Sequence, residues 1–199
     1  MASFLLELLP ACAMVAIPAV YTGTMIVDKL PSRKPPDFGE VSDPGRPILS
    51  YEWRTEGAHR VPAHNHVRGH ILHLEDGAYW VITPDERWLA ASGQAIWIPP
   101  RVEHEVYSLG PVSAHVLFVD EAYAGTLAKR CGTVRVDPLM VELFRRIVSY
   151  GNKYGKDGAE VRLAQVLLDE LARLEITTLM VPVSREPRLA KALRHRSPR

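Results

Sequence analysis

Short β-type runs between residues 48 and 122, followed by two amphipathic helical stretches, make this chain a mainly β domain: a β-barrel with two α-helices appended. Three observations predict it. Apolar and aromatic residues recur in short runs closed by turn residues. After Tyr123 the apolar spacing lengthens to that of helices. Inside the β part stands His64-Asn65-His66-Val67-Arg68-Gly69-His70, and histidines two apart on a strand point to one face.

The strands read in order as 50–54, 70–75, 78–83, 87–91, 95–99, 104–109 and 114–120. Asp76-Gly77, Pro84-Asp85, Ser92-Gly93, Pro99-Pro100 and Gly110-Pro111 punctuate them. Asp76-Gly77 between two alternating runs predicts a tight hairpin. A helix over 138–151 follows, with Asp137 as its cap, Pro138 in its first turn and Gly151 at its end. A second helix covers 159–175. Its stripe of Val161, Ala164, Leu168 and Leu171, widened by Leu167, must be buried against the barrel or a second subunit.

Composition sets the class. Of 199 residues 47% are hydrophobic and 24% charged, as in a globular domain with a real core. A net charge of +1 gives no overall attraction to nucleic acid. Cys12 and Cys131 make no disulfide framework and fit a reducing, cytoplasmic setting, and Cys131 reads as structural. Residues 8–27 carry no charge, but Pro10 and Pro18 interrupt them and no Lys or Arg precedes them, which argues against a membrane or export segment. Residues 1–47 therefore read as a hydrophobic, then Pro-rich, poorly ordered extension.

The chemistry gathers on histidine. His64, His66, His70 and His104 are the ligand-binding candidates. Neutral imidazoles suit one divalent transition metal ion, and the same rings without metal can serve as hydrogen-bonding walls of a small-molecule pocket. The two alternatives stay open at this point. Trp80, Trp88, Trp97 and Tyr107 are candidate pocket aromatics, Trp80 and Trp97 foremost, although the inward face of the Trp97 strand is not readable. His73 and His115 read as surface or sheet histidines, and His59 and His195 receive no role. No phosphate loop, Cys-Xaa-Xaa-Cys pair or nucleophile elbow supports other catalysis.

This spacing resembles the two histidine motifs of the cupin superfamily, a double-stranded β-helix barrel. His64, His66 and Gly77 match the first motif, with His70 where a glutamate would stand. Gly93, Pro99 and His104 match the second, with Arg101 where a glycine is expected. A longer set of strings resembles the AraC-type transcription regulators: 64–70, Ala95-Ile96-Trp97-Ile98-Pro99 through His104, Asp137-Pro138-Leu139, 166–171 and the exit 182–189. That resemblance implies a barrel over 48–122 that binds a small-molecule effector. It further implies a helical segment over 123–180 that forms a homodimer through Val161, Ala164, Leu168 and Leu171, and a truncated start of a helix-turn-helix domain over 181–199. Sequence-specific DNA binding by this chain alone is not expected. The rival is a free-standing metal-dependent cupin enzyme of oxygenase or isomerase type.

Overall fold

The structure is a computed structural model that describes residues 27–34 and 36–176. The uncharged stretch before Val27 and the helix entrance near Arg188 lie outside the described residues. Nine strands occur among those described: β1 (Ile48–Thr55), β2 (His59–His64), β3 (Gly69–Asp76), β4 (Ala78–Ile82), β5 (Arg87–Ala91), β6 (Gln94–Ile98), β7 (His104–Ser108), β8 (Val112–Val119) and β9 (Gly132–Arg135). They form two antiparallel sheets, β1-β8-β3-β6-β9 and β2-β7-β4-β5. Together these make a β-sandwich of two antiparallel sheets. Three helices follow the eighth strand: α1 (Glu121–Ala124), α2 (Pro138–Tyr150) and α3 (Ala159–Arg173).

Alternation along the strands sorts the core into two layers. Leu49, Leu72, Leu74, Ile96, Ile98, Val116 and Phe118 face the interior, where they meet Val61, Tyr79, Val81 and Val106 of the other sheet. Ile48, Ile71, Ala95, Trp97, Leu117 and Val119 point the opposite way, and α2 and α3 cover them with Met140, Phe144, Ile147, Ala164, Leu167, Leu168 and Leu171. The five-stranded sheet is thus buried on both faces, which explains its near-continuous apolar strands.

One turn reading changes, and one strand was missed. Asp76-Gly77 does not close a hairpin, because β3 pairs with β6 and β8 while β4 pairs with β5 and β7. Gly77, at φ +85°, instead turns the chain from one sheet into the other. The strand β2 escaped the pattern because Pro62 and a bulge between Val61 and His64 break its alternation. The helices match their signals: Asp137 accepts from the Met140 amide and Gly151, at φ +65°, ends α2.

Within α3 the stripe of Val161, Ala164, Leu168 and Leu171 is buried inside one chain. The resemblance gave these residues to a homodimer; within the single chain Ala164, Leu168 and Leu171 pack against the sheet and α2. The outer face of the five-stranded sheet needs a cover, and α2 and α3 pair to supply it. Among the described residues no helix is long and apolar enough to cross a membrane.

Arg68 anchors the segment that precedes β1. Fully buried, it pairs with Asp120 at 3.0 Å and donates to the carbonyls of Val41, Asp43, Arg46, Pro47 and Phe118. A buried guanidinium is tolerated only when so many donors are satisfied. The arm it holds carries Pro36 and Phe38 to the barrel interior.

Candidate ligand and metal site

The histidines converge from three directions. His64 at the end of β2 stands opposite His104 at the start of β7, a directly paired position of the four-stranded sheet. His70 of β3 faces them from the other sheet, beside its cross-strand neighbour Phe118. His66 belongs to no strand. It sits in the 65–68 loop, so its convergence with His64 owes nothing to strand alternation, contrary to the expectation from spacing. Three contacts hold that loop: the His66 carbonyl accepts from the Arg101 amide, the Gly39 carbonyl accepts from the Arg68 amide, and Gly39 lies against the ring. A Cβ on Gly39 would stand 2.6 Å from that of His66, so only glycine permits the approach.

His64, His66 and His104 each offer a nitrogen within 4.8 Å of the others. Each Nδ1 has a backbone carbonyl: Pro62 at 2.7 Å, Arg68 at 2.6 Å and Val102 at 2.8 Å respectively. A carbonyl accepts only, so Nδ1 carries the proton and Nε2 keeps its lone pair for the shared space. The buried Nε2 atoms of His66 and His104 have no hydrogen-bond partner. Backbone carbonyls thus orient these rings in the way metal-ligating histidines are oriented. Burial, foremost, pushes His66 down to about 4 and His104 down to about 3, with carbonyl bonds acting against it. Both are neutral near pH 7, the state a metal ligand requires. Tetrahedral zinc ligands at about 2.1 Å stand roughly 3.4 Å apart, within the 4.8 Å limit that bounds these nitrogens.

His70 adjoins this trio without joining its set of nitrogens within 4.8 Å. Its ring stacks on Phe118 at 4.8 Å and 18°, and lies 5.3 Å from the His66 ring and 5.8 Å from that of His104. Neither of its nitrogens has a partner, and burial holds it neutral.

A cavity of about 30 Å³ runs between the sheets from His64 and His70 past Tyr51, Trp53, Tyr79 and Phe118. That is room for a water molecule or two. His59, to which the sequence assigned nothing, is buried beside it. Its Nδ1–H donates to the Gly57 carbonyl at 3.2 Å, leaving Nε2 to accept from the Tyr79 hydroxyl at 2.8 Å and from Trp53 Nε1–H at 3.3 Å. The alternation Leu49, Tyr51, Trp53 was the available signal for two of these aromatics. Tyr79 and His59 had none, since their roles depend on which strands pair.

Neither tryptophan singled out as a pocket residue lines this cavity. Trp80 lies between the interior residues Tyr79 and Val81 and stacks on Tyr107, 6.2 Å away. Trp97 faces the helices and donates from Nε1 to the Ala128 carbonyl at 2.7 Å. It borders a different cavity, of about 210 Å³, with Leu127 and Leu171. His73 and His115 are sheet histidines as read, yet buried rather than on the surface. Burial raises the Cys131 thiol to about 12, consistent with a structural role.

Comparison with known proteins places this geometry. Residues 48–172 match the family model described as AraC-like ligand binding domain. The HTH-type transcriptional regulator NimR of Escherichia coli (strain K12) is 29% identical over 128 residues, covering 64% of this chain and 46% of NimR. The chain thus spans about half the length of that relative. Among solved structures, ToxT from Vibrio cholerae O395 aligns over 63% of this chain and 54% of its own at 10% identity, with a TM-score of 0.44. A cupin-2 domain protein from Shewanella frigidimarina aligns over 36% of this chain and 69% of its own at 17% identity, with a TM-score of 0.33. The match over both the strands and the two covering helices, 48–172, decides the matter: the chain belongs to the AraC-like ligand-binding domain family.

Proposed function

We propose that this domain is the sensing part of an AraC-type transcription regulator and that a small organic effector enters the barrel between the two sheets. The cavity between the sheets, lined by aromatics with a few polar groups, is the observation that carries this reading. Its volume of about 30 Å³ must grow to admit an organic molecule. Occupancy would be felt by α2 and α3, which pack on the other side of β3 and β8, the strands that line the cavity through His70, Leu72, Val116 and Phe118. The test is a thermal-shift screen of small organic molecules on the full chain and on Val116→Trp, which fills the cavity. Compounds that stabilise the natural chain but not Val116→Trp support the reading. Compounds that stabilise both equally count against it.

One observation favours a second element, a divalent transition metal held by His64, His66 and His104. Three imidazoles with carbonyl-fixed Nδ1–H groups and facing Nε2 atoms fit such an ion. Bound there, the ion would supply positive charge and an open coordination position to the cavity. A metal-dependent enzyme would use the same ion, and the two readings separate on what happens to the ligand. A ligand recovered unchanged after incubation speaks for sensing, and its conversion speaks for catalysis. Zn²⁺ should raise the melting temperature of the natural chain, by mass action, and leave His66→Ala/His104→Ala where it was. An equal shift in both proteins would remove the metal from the account.

A further inference from the structure

His70 occupies the position that spacing assigns to a fourth ligand, but its surroundings describe a different task. The three-histidine set closes without it, since only His64, His66 and His104 bring nitrogens within 4.8 Å of one another among the described residues. Its two nitrogens are buried and lack any partner, an arrangement that costs on the order of 1–3 kcal/mol per group when nothing fills it. Phe118 fixes the plane of the ring by stacking, and the ring borders the cavity alongside His64. Whichever nitrogen carries the proton, a neutral imidazole presents one N–H donor there.

The charge of the cavity narrows what that donor serves. No Lys, Arg, Asp or Glu lines it; beyond His64 and His70 its walls are aliphatic and aromatic apart from the Tyr51 and Tyr79 hydroxyls and the Trp53 indole. A buried anion needs a compensating charge, and a metal ion on the histidine trio, whose member His64 borders the cavity, would supply one. We propose that His70 is the residue that reads the effector: its N–H donates to a carboxylate of a small, otherwise apolar molecule whose other carboxylate oxygen occupies the open position of the metal. His70 is then a specificity-determining contact and not a ligand. This inference rests on the metal reading above.

Co²⁺ titration of the untagged full chain, followed by acetate titration, tests it through the visible absorption of the bound ion. The natural chain is expected to bind Co²⁺ and to show a saturable acetate-dependent change in the band. His70→Phe keeps the stack on Phe118 without a polar atom. It should take up Co²⁺ as tightly and bind acetate about tenfold or more weakly, the effect of losing one hydrogen bond to a charged group. His70→Gln restores a donor and should recover most of the acetate response. Should His70→Phe fail to fold, His70→Leu takes its place against His70→Gln. A Co²⁺ affinity that falls as far as the acetate affinity would make His70 a ligand and overturn the proposal. Equal acetate binding by the natural chain and His70→Phe would also overturn it. No Co²⁺ uptake by the natural chain removes the metal reading first, a failure visible before acetate is added.

Discussion

Arg101 stands in the left-handed region, at φ +63°, the sole non-glycine residue there among those described. The turn between β6 and β7 requires that conformation, because the Arg101 amide must reach the His66 carbonyl at 2.8 Å and so hold the loop that delivers His66. Cβ crowding makes it unfavourable for any residue but glycine, by about 1 kcal/mol. The guanidinium also grips Glu121, at 2.9 Å, but that pair is exposed and contributes little. Arg101→Ala and Arg101→Gly both lose the ion pair, and only the second relieves the backbone. The glycine variant should therefore be more stable than the alanine variant by about 1 kcal/mol, read as a difference in urea midpoint at constant slope. Equal midpoints would mean the turn carries no strain. The family resemblance marked this position in advance, since it expects glycine where Arg101 stands.

Beneath α2 lies a second group of buried imidazoles. His73 and His115 approach through their Nδ1 atoms at 3.2 Å on the outer face of β3 and β8, and Phe144 of α2 stacks on His73 at 4.9 Å. Around them stand Glu75, Arg145 and Ser113, with Glu52 and Arg54 of β1 beside His115. Burial, ahead of the neighbouring His115, pushes His73 down to about 4, and burial also lowers His115 against the pull of Glu75. Free histidine titrates near 6.5. Between those values the unfolded chain takes up a proton that folded His73 refuses, so stability is complete above pH 6.5 and lost as pH falls toward 4. For His73 the loss approaches about 3 kcal/mol. Replacing His73 with Phe should flatten the acid limb of a stability-against-pH curve measured by urea unfolding. An acid limb as steep as that of the natural chain would assign the loss to other groups.

The same packing gives α3 its sensitivity. Leu168 lies in the apolar layer between α3 and the sheet, whereas Val166 is 45% exposed. Leu168→Glu buries an unpaired carboxylate and should destabilise the domain by about 3 kcal/mol or more, visible as a large drop in melting temperature. Val166→Glu should change it by less than about 0.5 kcal/mol. A Leu168→Glu chain that melts normally and merely sediments as a smaller species would return the stripe to an interface between subunits. Analytical ultracentrifugation of the two variants reads whether a homodimer uses this stripe.

Taken whole, the domain stacks two β-layers and one helical layer, and the candidate site lies between the β-layers, away from the helices.

Much of this architecture was legible before any coordinates. Strand runs, turn glycines, the Asp137 cap and the apolar stripes are local patterns, and local backbone preferences and periodicity act over a few residues. His64 and His104 could be marked as partners because motif spacing encodes a barrel in which they meet. What remained hidden depends on residues distant in the chain. Trp97 turned outward and Ile98 inward because β6 pairs with β3 in one register, and a shift of one residue would exchange them. Asp76-Gly77 became a crossing between sheets because β4 found β7 and not β3. The α3 stripe met its own chain because the five-stranded sheet presents a second apolar face that periodicity within α3 does not reveal. His70 gained a neighbour in Phe118 through cross-strand pairing with β8. Spacing along the chain states which residues can meet; register and packing between distant strands choose which of them do.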